Sequence, residues 1–252
     1  MTKKESKKVS KKLKLSERFT FEKSTHKYYL DGKPLTGVTT VLGVIAKPTL
    51  IQWAANEAIK YVRENQPKSV KIAGQDMIIY TANQFSDMLD TARVASTAKR
   101  DKSADTGTAV HSWIEKFVKN KNPKPVKKIE HITKNFVEWA NKNKVEFLKS
   151  EVRVFSEKYW FAGTFDLLFK MNGNIYIGDI KTGNGIYGRE PFAQMAGYQI
   201  CLEEAGYKEI KGRMIIRCGK DGAFEIKESM DYETDKKIFL SALDLYRGLK
   251  TF

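Results

Sequence analysis

Apolar positions along this chain recur at two spacings, and the two alternate in blocks. Runs rich in β-branched and aromatic residues occur at 19–21, 27–30, 151–155, 165–169, 175–180, 212–217 and 224–227. Their period and length predict short strands. Between them lie stretches with the three-to-four spacing of amphipathic helices. Over 50–62 the stripe is Ile51, Ala54, Ala55, Ala58, Ile59 and Val62; over 84–99 it is Phe85, Met88, Leu89, Ala92 and Ala95. Further helices are predicted over 109–119, 130–149, 191–205 and 233–249. Residues 38–42 read either as a third strand or as a helix opened by Thr39 and Thr40, and 66–82 as a small hairpin or an insertion around Gly74.

Local signals punctuate these blocks. Asp105 or Thr106 suits the N-cap of the 109–119 helix, and residues 120–126 form a polar, proline-bearing connector. Pro191 stands in a first helical turn and Gly206 is the stop signal. The sharpest signal is Asn172-Gly173, a pair suited to a tight hairpin turn between two apolar runs. Pairing about that turn brings Asp166, early in the first strand, beside Asp179 and Lys181 at the end of the second. The last two are two residues apart and project from one face.

Two carboxylates and an ammonium on an otherwise apolar hairpin are costly to bury without a task. The chemistry that fits is metal-assisted phosphodiester hydrolysis. Two carboxylates and a backbone carbonyl, that of Ile180, can hold Mg²⁺ against a phosphate. Lys181 can then orient or deprotonate a water and offset charge as it develops. An ordinary surface Asp–Lys pair is the plain alternative.

Composition narrows the picture. With 45 Lys and Arg against 30 Asp and Glu, the chain carries a net charge of +15 and attracts polyanions. Seven lysines crowd the first sixteen residues, which read as a disordered basic arm, either a solubilising tail, a DNA tether or a nuclear localisation signal. No run has the length of a membrane span, and the lysine-rich start lacks a signal peptide's apolar segment. Cys201 and Cys218 alone cannot build a four-cysteine zinc or iron–sulfur site. There is no phosphate-binding Gly-x-x-x-x-Gly-Lys loop either.

Gly163-Thr164-Phe165-Asp166 followed by Asp179-Ile180-Lys181-Thr182-Gly183 resembles the core signature of the PD-(D/E)xK nuclease superfamily, in its RecB-like and phage-type exonuclease branch. Two more matches flank it in the order of that branch. Gly107-Thr108-Ala109-Val110-His111 resembles the Gly-Thr-x-x-His helix, and Gln194 to Tyr198 the Gln-x-x-x-Tyr helix. Lacking cysteines for a cluster, the chain is more similar to the lean phage exonucleases of the lambda type and to mitochondrial genome maintenance exonucleases.

The resemblance implies an α/β fold with a restriction-endonuclease-like core, a central mixed β-sheet flanked by helices. It implies a metal site of Asp166, Asp179, the Ile180 carbonyl and His111 binding Mg²⁺ or Mn²⁺, the imidazole favouring manganese. Glu151 is a secondary candidate there, or a plain exposed residue at a strand start. Glu115 shares a helix face with His111 and either holds it or pairs with a basic neighbour. Lys181 activates water, and Gln194 and Tyr198 shape the phosphate side. Arg93 and Arg100 on the preceding helix, with Tyr187 and Arg189 on the loop after Lys181, are candidate DNA contacts. His26 is read as a packed or surface histidine.

The expected organisation is a basic arm (1–18), an appendage of strands and DNA-facing helices (19–106) and the nuclease core (107–252). The expected function is a metal-dependent DNA exonuclease of phage or mobile-element recombination, repair or degradation. It would act on single-stranded DNA or duplex ends in the cytoplasm of a bacterial or phage-infected cell, with a recombination or single-strand-binding partner. A structure-specific endonuclease and a non-catalytic DNA-binding recombination partner are the alternatives, and oligomeric state is open.

Overall fold

The computed structural model describes residues 18–121, 123–207 and 209–250. Ten strands and six helices alternate along them. The strands are β1 (Phe19–Glu22), β2 (Lys27–Leu30), β3 (Lys33–Gly37), β4 (Val70–Ile72), β5 (Gln75–Met77), β6 (Glu146–Ser156), β7 (Phe161–Met171), β8 (Asn174–Lys181), β9 (Ile210–Cys218) and β10 (Phe224–Ser229). The helices are α1 (Val38–Leu42), α2 (Pro48–Glu64), α3 (Ala82–Val118), α4 (Glu130–Lys142), α5 (Glu190–Glu204) and α6 (Tyr232–Gly248). None of the described helices is long and apolar enough to cross a membrane.

Eight strands form one mixed sheet in the order β1-β2-β3-β7-β8-β9-β10, with β6 on the other edge of β7. The β3/β7 and β8/β9 pairs are parallel and the rest antiparallel. The expected α/β architecture with a central mixed sheet is therefore present. Asn172 (φ 49°) and Gly173 (φ 80°) form the two-residue turn between β7 and β8, both left-handed as such hairpins require.

Apolar side chains leave both faces of the sheet. On one, Phe165, Leu168, Ile177 and Ile215 pack with α1, α5 and α6 through Val41, Tyr198 and Phe239. On the other, Leu167, Phe169, Ile180 and Ile216 pack with α4 and the C-terminal part of α3 through Phe136, Val110 and Ile114. A sheet covered twice in this way needs the near-continuous hydrophobic strands that the sequence supplies.

Several boundaries differ from expectation. The two helices predicted over 84–99 and 109–119 are one helix, α3, so Asp105 and Thr106 are interior residues rather than caps. The 130–149 helix stops at Lys142, because residues 146–149 already belong to β6. Residues 38–42 take the helical alternative, and residues 66–82 contain the small β4/β5 hairpin.

The expected 19–106 appendage divides. Strands β1–β3 join the main sheet, and the chain separates into a compact unit of residues up to Ile45 with those from Gly107 on, and a second unit, Ala46–Thr106. In that second unit α2 buries none of its residues, and the predicted stripe is open along Ile51 and Ile59. The basic arm, apart from Arg18, lies outside the described residues; Arg18 pairs with Asp31 and Glu157.

The deepest polar feature is an ion pair in the core. Arg213 and Asp235 are both fully buried and 3.2 Å apart. Asp235 also receives Arg189 at 2.9 Å and the Ser229 hydroxyl at 2.5 Å, while Arg213 donates to Gln199 and to the Ser229 carbonyl. Removing one partner leaves an uncompensated charge. Asp235→Ala is expected to cost about 3–5 kcal/mol of stability, measured as a lowered urea midpoint with an unchanged slope.

Candidate functional site

The site lies where the sheet parts. One edge of β7 is paired to β6, with rungs recorded from Phe161 through Lys170. The opposite edge is shared: β3 pairs at Phe161 and Ala162, and β8 pairs from Leu167 on. Residues 163–166 between them have no ladder partner on that edge among the described residues. The ends of β3 and β8 splay there around a cleft of about 830 Å³, lined by Thr36, Thr164, Asp166, Asp179, Lys181 and His111 among others.

Asp166 replaces the missing rung. Its Oδ2 accepts the Ile180 N–H at 2.6 Å, so a side chain does what a strand carbonyl would do. This bond engages the amide of Ile180, the residue whose carbonyl is the expected metal ligand. Thr164 fills the gap likewise, sharing a 2.9 Å hydrogen bond with the Tyr28 hydroxyl of β2.

Two further ligand-type side chains converge on Asp166. His111 on α3, Glu151 on β6 and Asp166 each offer an atom within 4.8 Å of the others. His111 Nδ1 lies 3.5 Å from Asp166 Oδ1 and 3.9 Å from Glu151 Oε1. Glu151 is mid-strand rather than at a strand start, and has φ 50°. It sits between the rungs Ser150↔Leu167 and Val152↔Phe165, opposite Asp166. A left-handed turn at a non-glycine residue inside a strand is strained, and such positions gather at functional sites.

Asp179 and Lys181 occupy the end of β8. Asp179 is buried; its Oδ2 lies 2.9 Å from Lys181 Nζ yet lacks a well-angled hydrogen bond. Its Oδ1 accepts a long hydrogen bond from Gln194 Nε2 at 3.4 Å, and the same amide donates to the Tyr198 hydroxyl at 3.0 Å. Gln194 and Tyr198 therefore share the face of α5 that looks onto β8. Tyr198 packs so closely on β7 that a Cβ at Gly163 would run into its ring. On the other side, a Cβ at Gly107 would lie 3.1 Å from Thr182 Oγ1, so the α3 backbone also comes close to the chain just after Lys181.

Burial raises the Asp179 carboxyl above the usual carboxylate range; Lys181 pulls it down, and the charge of Asp166 adds to the rise. Burial lowers the Lys181 ammonium, but Asp179 outweighs this and the net shift is upward. For His111, burial lowers the imidazole, while hydrogen bonds and charge from Asp166 and Glu151 prevail and push it up to about 10. The site holds more negative charge than its own cations satisfy, which is the condition a bound divalent cation relieves.

The remaining candidates are placed as follows. Glu115 pairs with Lys119 rather than with His111. Arg189, just before α5, is held by Asp231 at 3.2 Å and Asp235 at 2.9 Å, so its charge is engaged in the core network. The loop between β8 and α5 is also tied by Arg217 to the Gly183 carbonyl at 2.7 Å and by Lys227 to the Ile186 carbonyl at 3.0 Å. Tyr187 projects from it, 75% exposed. Arg93, exposed, and Arg100, 3.3 Å from Asp101, belong to the second unit. His26 borders the cleft beside Tyr28.

No family model matches the chain, and no curated protein matches it. Among solved structures, the crystal structure of SSO0001 aligns over 46% of this chain and 56% of that one, at 15% identity and a TM-score of 0.30. The aligned part is little more than half of that protein's length.

His111 titrates above its ordinary 6.5, up to about 10, in the metal-free protein. A raised folded value adds stability that is complete below pH 6.5 and is lost as pH rises through about 10. Thermal melts without metal should fall between pH 7 and 10 more steeply for the wild type than for His111→Gln. Ligation needs neutral imidazole, so if the cluster takes Mn²⁺, binding at pH 7 would expel a proton. Calorimetry should show affinity rising with pH towards about ten-fold per unit, a slope absent in the variant.

Proposed function

We propose that the protein is a metal-dependent nuclease of the PD-(D/E)xK type that hydrolyses DNA phosphodiesters, acting from strand ends. The observation that carries this reading is one open cleft lined by His111, Asp166, Asp179 and Lys181, with Glu151 of the neighbouring β6 completing a cluster with the first two. The donor set of one imidazole and hard carboxylate oxygens suits Mn²⁺ or Mg²⁺. The buried, incompletely bonded Oδ2 of Asp179 is a further oxygen suited to a cation. His111, Glu151 and Asp166 would hold the ion, with Asp179 beside them. Such an ion polarises a phosphoryl oxygen and lowers the pKa of a bound water.

The chain's own residues supply the rest. Lys181, partly exposed and fixed by Asp179, points an ammonium at the cleft; it orients a water and offsets charge gathering on the phosphoryl group. Gln194 holds Asp179 and Tyr198 together, so the carboxylate lies against α5 rather than turning to solvent. Thr164 and Tyr28 close the wall next to Asp166. The surplus of cations in the chain supplies long-range attraction for a polyanion. A role in phage or mobile-element recombination or repair, with the partners such a role involves, follows from the resemblance alone.

End-labelled linear DNA and a covalently closed circle, each incubated with Mg²⁺ or Mn²⁺, test this. The expected outcome is metal-dependent release of mononucleotides from linear DNA and an intact circle. Asp166→Ala, Asp179→Ala and Lys181→Ala should each lower the rate by at least about 10²-fold; the latter two should keep the wild-type circular dichroism, whereas Asp166→Ala also removes the acceptor of the Ile180 amide. Equal degradation by wild type and variants removes the reading, and nicking of the circle converts it to an endonuclease.

A further inference from the structure

Glu151 links two openings. It completes the cluster with His111 and Asp166, which line the main cleft, yet Glu151 itself lines a second groove of about 650 Å³. That groove runs between the end of α3, at Lys119 and Asn120, and residues 147–153 of β6. The other edge of β6 is paired to β7, and no further strand covers this one among the described residues.

Its chemistry is that of an anion track. Lys119, Lys149 and Arg153 line it, with Glu115 and Glu151 the acidic members. Glu115 is already paired with Lys119, and Glu151 faces His111. Neither Lys149 nor Arg153 has a carboxylate partner among the described residues. Arg153 is braced by the Phe21 ring, its guanidinium carbon 4.4 Å from the centroid. Between the two cations sits Ser150, which is 9% exposed, lines the groove, and has a buried hydroxyl with no hydrogen-bond partner. An orphan buried hydroxyl is a cost that an acceptor in the groove removes.

We infer that this groove binds the phosphate backbone of the strand being cut. That strand passes from the main cleft, over the carboxylate–histidine cluster, and on along β6, with Lys149, Ser150 and Arg153 holding phosphates on one side of the scissile bond. The inference rests on the nuclease reading for the identity of the polyanion. It adds a path and a length requirement that the cluster alone does not demand. A single strand fits better than a duplex, because one backbone is all that a groove beside a β-edge has to follow.

Fluorescence anisotropy with labelled (dT)20 in EDTA, where no cleavage occurs, tests the groove separately from catalysis. The double variant Lys149→Ala/Arg153→Ala should bind about ten-fold more weakly, and the slope of log affinity against log salt should shrink by about 1.4, the value for two lost single-strand phosphate contacts. Ser150→Ala, which removes no charge, should weaken binding about five-fold with the slope intact. Lys134→Ala, a control in an exposed pair with Glu138 on α4, should bind as wild type. Restoring charge with Lys149→Arg/Arg153→Lys should recover the slope. Wild-type affinity and slope in the double variant, or wild-type affinity in Ser150→Ala, overturn the groove even if DNA is hydrolysed. A protein that binds (dT)20 through these residues but hydrolyses no DNA overturns the nuclease reading instead.

Discussion

One hydrogen bond organises this molecule: the Asp166 carboxylate accepting the Ile180 amide at the point where β8 leaves β7. A strand edge that loses its partner must satisfy its amides some other way. Here an acidic side chain takes that part, and its second oxygen turns to His111. The parting of β3 and β8 makes the cleft, and the same carboxylate stitches its apex. Structural need and chemical capacity thus rest on one residue, and neither can be altered without the other.

Around that apex the fold fixes side chains from five elements. α3 brings His111, β6 brings Glu151, β7 Asp166, β8 Asp179 with Lys181, and α5 Gln194 with Tyr198. The helix α5 is itself located by charge, since Arg189 at its start is bound to the same Asp235 that neutralises Arg213 in the core. Buried ion pairs add little net stability over apolar packing, but they penalise other arrangements heavily. Placing one at the base of the helix that touches Asp179 specifies the orientation of that helix.

Much of this was legible in the residues. The apolar runs and the Asn-Gly turn place β7 and β8, and counting outward from the turn sets Asp166 opposite Asp179. The four-residue spacing of Gln194 and Tyr198 puts both on one face of α5. The misses have physical causes. Asp105 and Thr106 have good capping chemistry, yet α3 runs through them, because tertiary context overrides local preference. The 130–149 helix ends early because Val145, Phe147 and Leu148 suit either period, and β6 takes the last two, with Phe147 opposite Phe169. Glu151, a secondary metal candidate by resemblance, does join the cluster, but nothing in a glutamate announces the left-handed backbone it adopts opposite Asp166. The pairing of Arg189 is invisible locally, because the acids that bind it lie more than forty residues further along the chain.

The two-residue turn at Asn172-Gly173 acts as a ruler for the whole arrangement. Because side chains alternate along a strand, an insertion or deletion of one residue between Asp166 and Asp179 would send the second acid to the opposite face of the sheet. Length in that hairpin is therefore constrained as tightly as the identity of the acids at its ends. Variation among descendants of this sequence should leave the spacing of 166 and 179 untouched.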